Sequence, residues 1–332
     1  EMSFRGSRLN VLNADEKTVA RVIMGQRKAW QPWENTPENV LPASLKVVPI
    51  RGYEKEYEHL LQFVESELPV EEVAESELAT VLESVGRTPC DYSSKLNVQL
   101  EPGMPAGEAT RTVFRTLLET LLVNEKGTRL DLDSEFLHDF SVAIRRTRAA
   151  LAQIKGVISP DIRDRFKSDF SWIGGATGPS RDLDVYLLKM PKYRSSVPQS
   201  IRQHLDPLTD FLVAEKAAER KKLIAALDSK RYISLVADWR AVLDDGLESV
   251  SDAPVVNTPI KEVASKRIWK IYRRVLNMGA LEGGSVEAEV LHRLRIECKK
   301  LRYMMEFFRN LYGSKEIKGL IKVLRRLQDN LG

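Results

Sequence analysis

Leu137-His138-Asp139-Phe140-Ser141-Val142-Ala143-Ile144-Arg145-Arg146-Thr147-Arg148 and Leu291-His292-Arg293-Leu294-Arg295-Ile296-Glu297-Cys298-Lys299-Lys300-Leu301-Arg302 are one pattern written twice. The offset is constant (292 − 138 = 154). A His, a β-branched residue four further on, a basic pair at seven and eight and an Arg at ten recur without a gap, which marks an internal repeat. Wound at about 100° per residue, positions three, seven and ten after the His fall within about 80° of it on one side. The second copy then carries a stripe of His292, Arg295, Lys299 and Arg302, extended by Arg309. The first carries His138, Arg145 and Arg148, extended by Lys155. The basic pairs add Arg146 and Lys300 beside the stripes, with Val142 and Ile296 between. Apolar residues gather opposite: Leu137, Phe140, Ile144 and Leu151 in one copy, Leu294, Leu301, Met305 and Phe308 in the other. Each copy therefore reads as a helix with one apolar and one cationic face.

A single basic helix face is most simply a solvated one. Two in register ask for more, since solvation does not require a His at the same place twice among only four in the chain. Helix packing or capping between repeats remains an alternative for His138 and His292. Ser141 stands where its twin has Arg295, so the first copy is one cation short, and an Arg at 141 is expected to strengthen the stripe.

With Arg181-Asp182-Leu183-Asp184-Val185 downstream and Leu327-Gln328-Asp329-Asn330-Leu331-Gly332 near the end, these motifs resemble the CHAD domain, the conserved-histidine α-helical domain, over about residues 92 to 332. The resemblance implies a mainly α fold: two four-helix halves related by a pseudo-twofold, whose facing basic surfaces bind inorganic polyphosphate. It makes the two stripes the polyphosphate site and adds Arg181, for which a helix-start ion pair is the alternative. Lys266, Lys270 and Arg273 join them, sharing one face of a helix at i, i+4 and i+7. Association with polyphosphate granules follows as an expectation. The family continues beyond the point matching Gly332, so the second half is expected to be truncated.

The N-terminal residues differ in kind. Ser7 to Met24 and Leu45 to Ile50 read as strands around a Trp- and Pro-rich loop containing Trp30, Pro32, Trp33, Pro37 and Pro42. Arg8 to Arg21 with Ile50-Arg51-Gly52-Tyr53 resemble the later strands of a CYTH domain, a triphosphate tunnel, in which Arg8, Lys17 and Arg21 would point inward. The Glu-x-Glu-x-Lys motif that opens that family is absent, so a tunnel hydrolase would need residues outside this chain. The divisions expected are 1–53 (partial CYTH-like), 54–91 (acidic helical connector), 92–250 and 251–332 (the CHAD-like halves).

Along the helical part, helices are expected over 105–123, closed by a turn at Lys126-Gly127, then from a cap at Ser134 to Ser159-Pro160. The next carries Phe166, Phe170, Trp172 and Ile173 until Gly174, Gly175, Gly178 and Pro179 break it, with a new one starting at Arg181. Helical patterns follow over 197–227, 230–243 and 260–278, with a seam at 249–259.

The 332 residues carry 51 bases against 47 acids, a net charge of only +4, so anion binding must rest on where charges sit. No membrane partner is expected, because no apolar run approaches about 18 residues. Cys90 and Cys298 lack metal-ligand spacing and suit a reducing compartment, which makes a cytoplasmic location the default. No nucleophile–base order or phosphate loop stands out. No catalytic residue, metal or cofactor is expected of the helical part. Nucleic acid is a second, less favoured partner for the basic faces, since base stacking needs exposed aromatics and Trp269, Tyr272 and Tyr303 lie near the bases in sequence.

Overall fold

The computed structural model describes residues 2–31, 38–73, 76–89, 91–245, 253–279 and 288–331. Pro32, Trp33, Pro37, Cys90 and the start of the 249–259 seam lie outside them. Two compact units divide between Ser93 and Ser94.

The first unit is an antiparallel sheet, β1 (Met2–Leu12), β2 (Thr18–Ala29), β3 (Asn39–Val40) and β4 (Ser44–Pro49). Strand β2 pairs with β1 along one edge and with β3 and β4 along the other. The β1–β2 turn forms because Asn13 Oδ1 accepts from the amides of Asp15 (3.1 Å) and Lys17 (3.0 Å) while Glu16 takes a left-handed φ of 59°. Lys17 sits in that turn, ion-paired to Asp15 at 3.5 Å, and so lies off the strands. Arg8 and Arg21 share a face, since Arg21 pairs with Asn10 and Asn10 is two residues from Arg8. The acidic stretch folds as α1 (Glu54–Glu67) and α2 (Glu77–Ser84) within this unit; Arg27 reaches Glu77 at 2.9 Å and Gln31 Nε2 donates to the Val85 carbonyl at 3.1 Å.

The second unit is helical: α3 (Ala106–Leu130), α4 (Ser134–Gln153), α5 (Pro160–Ser196), α6 (Asp206–Leu227), α7 (Lys230–Asp245), α8 (Ile260–Gly279), α9 (Ala288–Phe307) and α10 (Ser314–Asn330). The repeat appears as α3–α4–start of α5 against α8–α9–α10. Its axis is visible in the backbone: the Ala106 amide donates to the Thr258 carbonyl and the Ile260 amide to the Met104 carbonyl, both at 2.9 Å. These two bonds exchange under the same offset (258 − 104 = 154 and 260 − 106 = 154).

Three local expectations are corrected. Helix α3 runs past Gly127 to Leu130 and stops at Asp131, whose φ of 53° is left-handed. Gly127 serves the next helix instead: a Cβ there would strike the Phe136 ring. The α4 cap is Asp133, not Ser134; its carboxylate accepts from the Glu135 amide at 2.8 Å. Helix α5 is continuous through Gly174, Gly175, Gly178 and Pro179. Its buried residues Phe166, Phe170, Ile173, Thr177, Ser180 and Asp184 keep three- and four-residue spacing across that cluster, so packing overrides weak propensity.

The core of the first half closes on Trp239 of α7, which has Phe114, Phe166 and Phe170 around it at 5.0, 4.6 and 5.8 Å between ring centroids. Phe114 is fully buried there. In the second half Ile268 stands at the matching position (268 − 114 = 154), and the neighbouring Trp269 is 59% exposed, its ring tilted against Tyr272 at 5.4 Å.

Candidate functional site

The two repeated helices, α4 and α9, pack against each other, and their cationic faces open on one groove of about 1040 Å³. Arg145 and Arg148 come from α4, Lys299, Lys300 and Arg302 from α9, and Lys167 from α5. Ile296 and Tyr303 supply apolar lining. Among the described residues one carboxylate, Asp164, stands in the lining, held by the neighbouring Arg163 at 2.9 Å. Burial, and then the charges of Arg295, Arg145 and Arg302, push the Lys299 pKa down. A cation of one half thus feels a cation of the other, a crowding that an anion would relieve.

The arginines are held in place. Arg302 donates to Gln328 Oε1 at 3.0 Å and to Glu306 Oε1 at 2.9 Å, and its guanidinium lies 4.7 Å from the centre of the Tyr303 ring. Arg148 lies over Gly174, where a Cβ would come within 3.2 Å of its guanidinium and of Ile144. Gly174 and Gln328 are counterparts (328 − 174 = 154), so each half seats its stripe arginine on the same position of the following helix. That is the role of the glycine read above as a helix breaker.

Other residues of the stripes are placed differently. Arg146 turns from the groove, donating to the Ser94 carbonyl at 2.9 Å and facing Glu306 at 3.6 Å. Arg295 Nε donates to the Gln328 carbonyl at 3.3 Å. Lys300 lines the groove while pairing with Glu297 at 2.5 Å. Arg309 falls in a 3-10 turn after α9 and donates to Asn97 Oδ1 at 2.7 Å, so it does not extend the stripe. Ser141 is only 3% exposed, its Oγ without a hydrogen-bond partner, and an Arg there would be buried rather than added to the stripe. The expectation that an Arg at 141 strengthens the stripe is therefore corrected.

At the α4 N-terminus His138 is half-buried and Arg181 donates to the Ser134 carbonyl at 3.4 Å. Burial lowers the His138 pKa and the Arg181 charge adds to this, against Glu135 and Asp139, which raise it. Potential ligand atoms of Glu135, His138 and Asp139 lie within 4.8 Å of one another, a grouping the spacing argument missed. The Arg181 charge beside it works against a cation there. His292 is exposed.

Lys155, Lys266 and Lys270 meet elsewhere. Lys155 follows the end of α4, and with the two α8 lysines it rims a second cavity of about 320 Å³ that shares Gln153 with the groove. Arg273 is exposed further along α8 and lines neither cavity. Sequence reasoning missed Lys167 and Arg267. Lys167 was hidden in a segment read only for its apolar residues, and Arg267 between two lysines that the i, i+4, i+7 spacing singled out instead.

The CHAD domain family model matches residues 112–332. The crystal structure of the CHAD domain from the plant Ricinus communis is similar at 27% identity and a TM-score of 0.60, covering 71% of this chain and 78% of that one. PptA from Streptomyces chartreusis, at 12% identity, shares the fold with a TM-score of 0.52, over 67% of this chain and 82% of its own. No curated protein matches the chain. Among the described residues no helix is long and apolar enough to cross a membrane.

Proposed function

The chain belongs to the CHAD domain family over residues 112–332, and from that premise we propose that it captures inorganic polyphosphate in the α4–α9 groove without chemically altering it. The observation that carries this reading is the convergence of Arg145, Arg148, Lys299, Lys300 and Arg302, drawn from both halves, on one open channel. A phosphate chain repeats its charge at short intervals and bends easily, so it needs a row of cations more than a shaped pocket. Arginine offers planar paired donors and lysine a point charge, and the groove holds both. The lowered Lys299 pKa supports an anion as the missing partner, since phosphate oxygens would restore the proton affinity that crowding removes. Binding of this kind acts through counterion release and is strongly salt-dependent. A module that holds polyphosphate in this way would recruit its chain to polyphosphate granules in the cytoplasm.

A second reading has its own observation. Trp269 and Tyr272 are exposed and in ring contact beside Lys266, Lys270 and Arg273, a combination suited to single-stranded nucleic acid. A tunnel hydrolase in the N-terminal unit has less support, because among the described residues its four strands form an open sheet. Equilibrium binding of long-chain polyphosphate to the whole chain, competed by orthophosphate and by single-stranded RNA, separates these readings. Polyphosphate capture requires that neither competitor displace it at matched phosphate concentration.

A further inference from the structure

The cavity of about 320 Å³ beside the groove differs from it in chemistry. Its floor is apolar: Ile154 just after α4, Val255 from the seam between the halves, Val263 from α8, Met304 from α9 and Phe308 just after it. Its rim is cationic, with Lys155, Lys266 and Lys270 exposed and Arg267 partly buried. Thr258 and Glu262 stand on its wall, and Glu262 pairs with the rim residue Lys266 at 2.5 Å. An inorganic phosphate chain has no use for an apolar floor. A wholly apolar ligand has no use for four cations.

The wall towards the groove is a pair of side chains. Gln153 lines both cavities, and its Oε1 accepts from Arg267 Nη at 3.1 Å. Arg267 Nε is buried without a hydrogen-bond partner, and burial followed by the charge of Arg274 depresses the guanidinium pKa. The nearby carboxylate, Glu297, is already engaged by Arg274 at 3.1 Å and Lys300 at 2.5 Å. A partly buried guanidinium whose one side-chain partner is neutral is favoured by a nearby anion. Arg267 therefore lines the apolar pocket and holds Gln153, the residue that the pocket shares with the groove.

Resting on the polyphosphate reading of the groove, we infer that this cavity is a head-group subsite for organic oligophosphates. A nucleobase-sized group would sit on the Val263–Phe308 floor, and its phosphate chain would pass Arg267 and Gln153 into the groove. The volume lies at the small end of ordinary ligand pockets, which suits a single ring system and not a larger ligand. The subsite would let the protein distinguish a capped phosphate chain from a free one.

The test compares adenosine 5′-tetraphosphate with inorganic tetraphosphate, by calorimetry on the whole chain, alongside long-chain polyphosphate. The capped ligand is expected to bind roughly tenfold more tightly than the uncapped one, about what burial of one apolar ring face supplies. Val263→Trp, which fills the cavity, is expected to erase that advantage and leave long-chain polyphosphate binding unchanged. Should that variant fail to fold, photolabelling of the unaltered protein with azido-adenosine tetraphosphate gives the second readout, with labels expected within the segments that line the cavity, 153–155, 255–270 and 304–308. Equal affinity for the two tetraphosphates, or labelling outside those segments, would overturn the subsite while long-chain binding still upheld the groove. Loss of all three ligands in the unaltered protein would instead overturn the groove reading, and the subsite with it.

Discussion

Arg145 of the first basic helix and Lys299 of the second line one groove, where burial, then Arg295, Arg145 and Arg302, hold the lysine pKa below its ordinary value. Like charges brought together by folding cost stability unless a ligand repays the cost. Lys299→Ala is therefore expected to leave thermal stability unchanged or slightly raised. In the same variant, the slope of log affinity for polyphosphate against log salt should shallow by about 1, one phosphate contact fewer. A slope identical to that of the unaltered protein would remove Lys299 from the site.

Glu306 plays the opposite part. It is buried, and it bridges Arg302 and Arg325 at 2.9 Å each, with Arg146 of α4 at 3.6 Å. Burial alone would raise its pKa, but Arg302, the Arg325 hydrogen bond and Arg146 outweigh this and hold it below the ordinary glutamate value. A depressed carboxylate contributes stability that is present above its unfolded pKa and lost as pH falls through its folded one. Glu306→Gln is expected to cost about 3 kcal/mol at neutral pH. In urea melts the gap to the unaltered protein should shrink as pH is lowered through and below the carboxylate range; a gap independent of pH would show that the loss is steric.

His138 gives binding a pH dependence of definite sign. Burial first, then Arg181, keeps the free protein's imidazole less basic than usual, so it is neutral at pH 7. A bound phosphate chain would raise that pKa, and affinity should climb as pH falls from neutral through the bound and then the free value. His138→Gln should flatten that rise. A flat profile in the unaltered protein between pH 5.5 and 7.5 would make His138 a packing residue.

Gly174→Ala tests the seat of Arg148. The added methyl group improves helix propensity by up to about 1 kcal/mol, but it meets the Arg148 guanidinium and Ile144 at 3.2 Å each. The two effects are expected to leave stability within about 1 kcal/mol of its starting value. Displacement of Arg148 should still weaken polyphosphate binding several-fold, as measured by competition. Unchanged binding would mean that the position of Arg148 is immaterial.

The repeated stripe was legible because helical periodicity sorts residue types by direction, and two copies in register left little to chance. Packing of α4 against α9 carries this through: Arg145, Arg148, Lys299, Lys300 and Arg302 share the groove. What escaped the sequence depended on neighbours. Gly174 to Pro179 look like a break until the unbroken burial of Ile173, Thr177 and Ser180 is seen. Ser141 looks like a missing cation until α4 is packed and the residue is enclosed. Lys155 and Arg309 extend the stripes on a helical wheel, but α4 ends at Gln153 and α9 at Phe307, so neither keeps the phase. Arg267 was unreadable as a site residue because its significance lies in Gln153, more than a hundred positions away.

The most direct test of the central claim is a salt titration of long-chain polyphosphate binding to the whole chain and to Arg145→Glu, Lys299→Glu, with single-stranded RNA and orthophosphate as competitors. The groove predicts tight, salt-steep binding that neither competitor displaces and that the double variant loses, although it still folds. Undiminished binding by the double variant, or equal displacement by RNA, would contradict it.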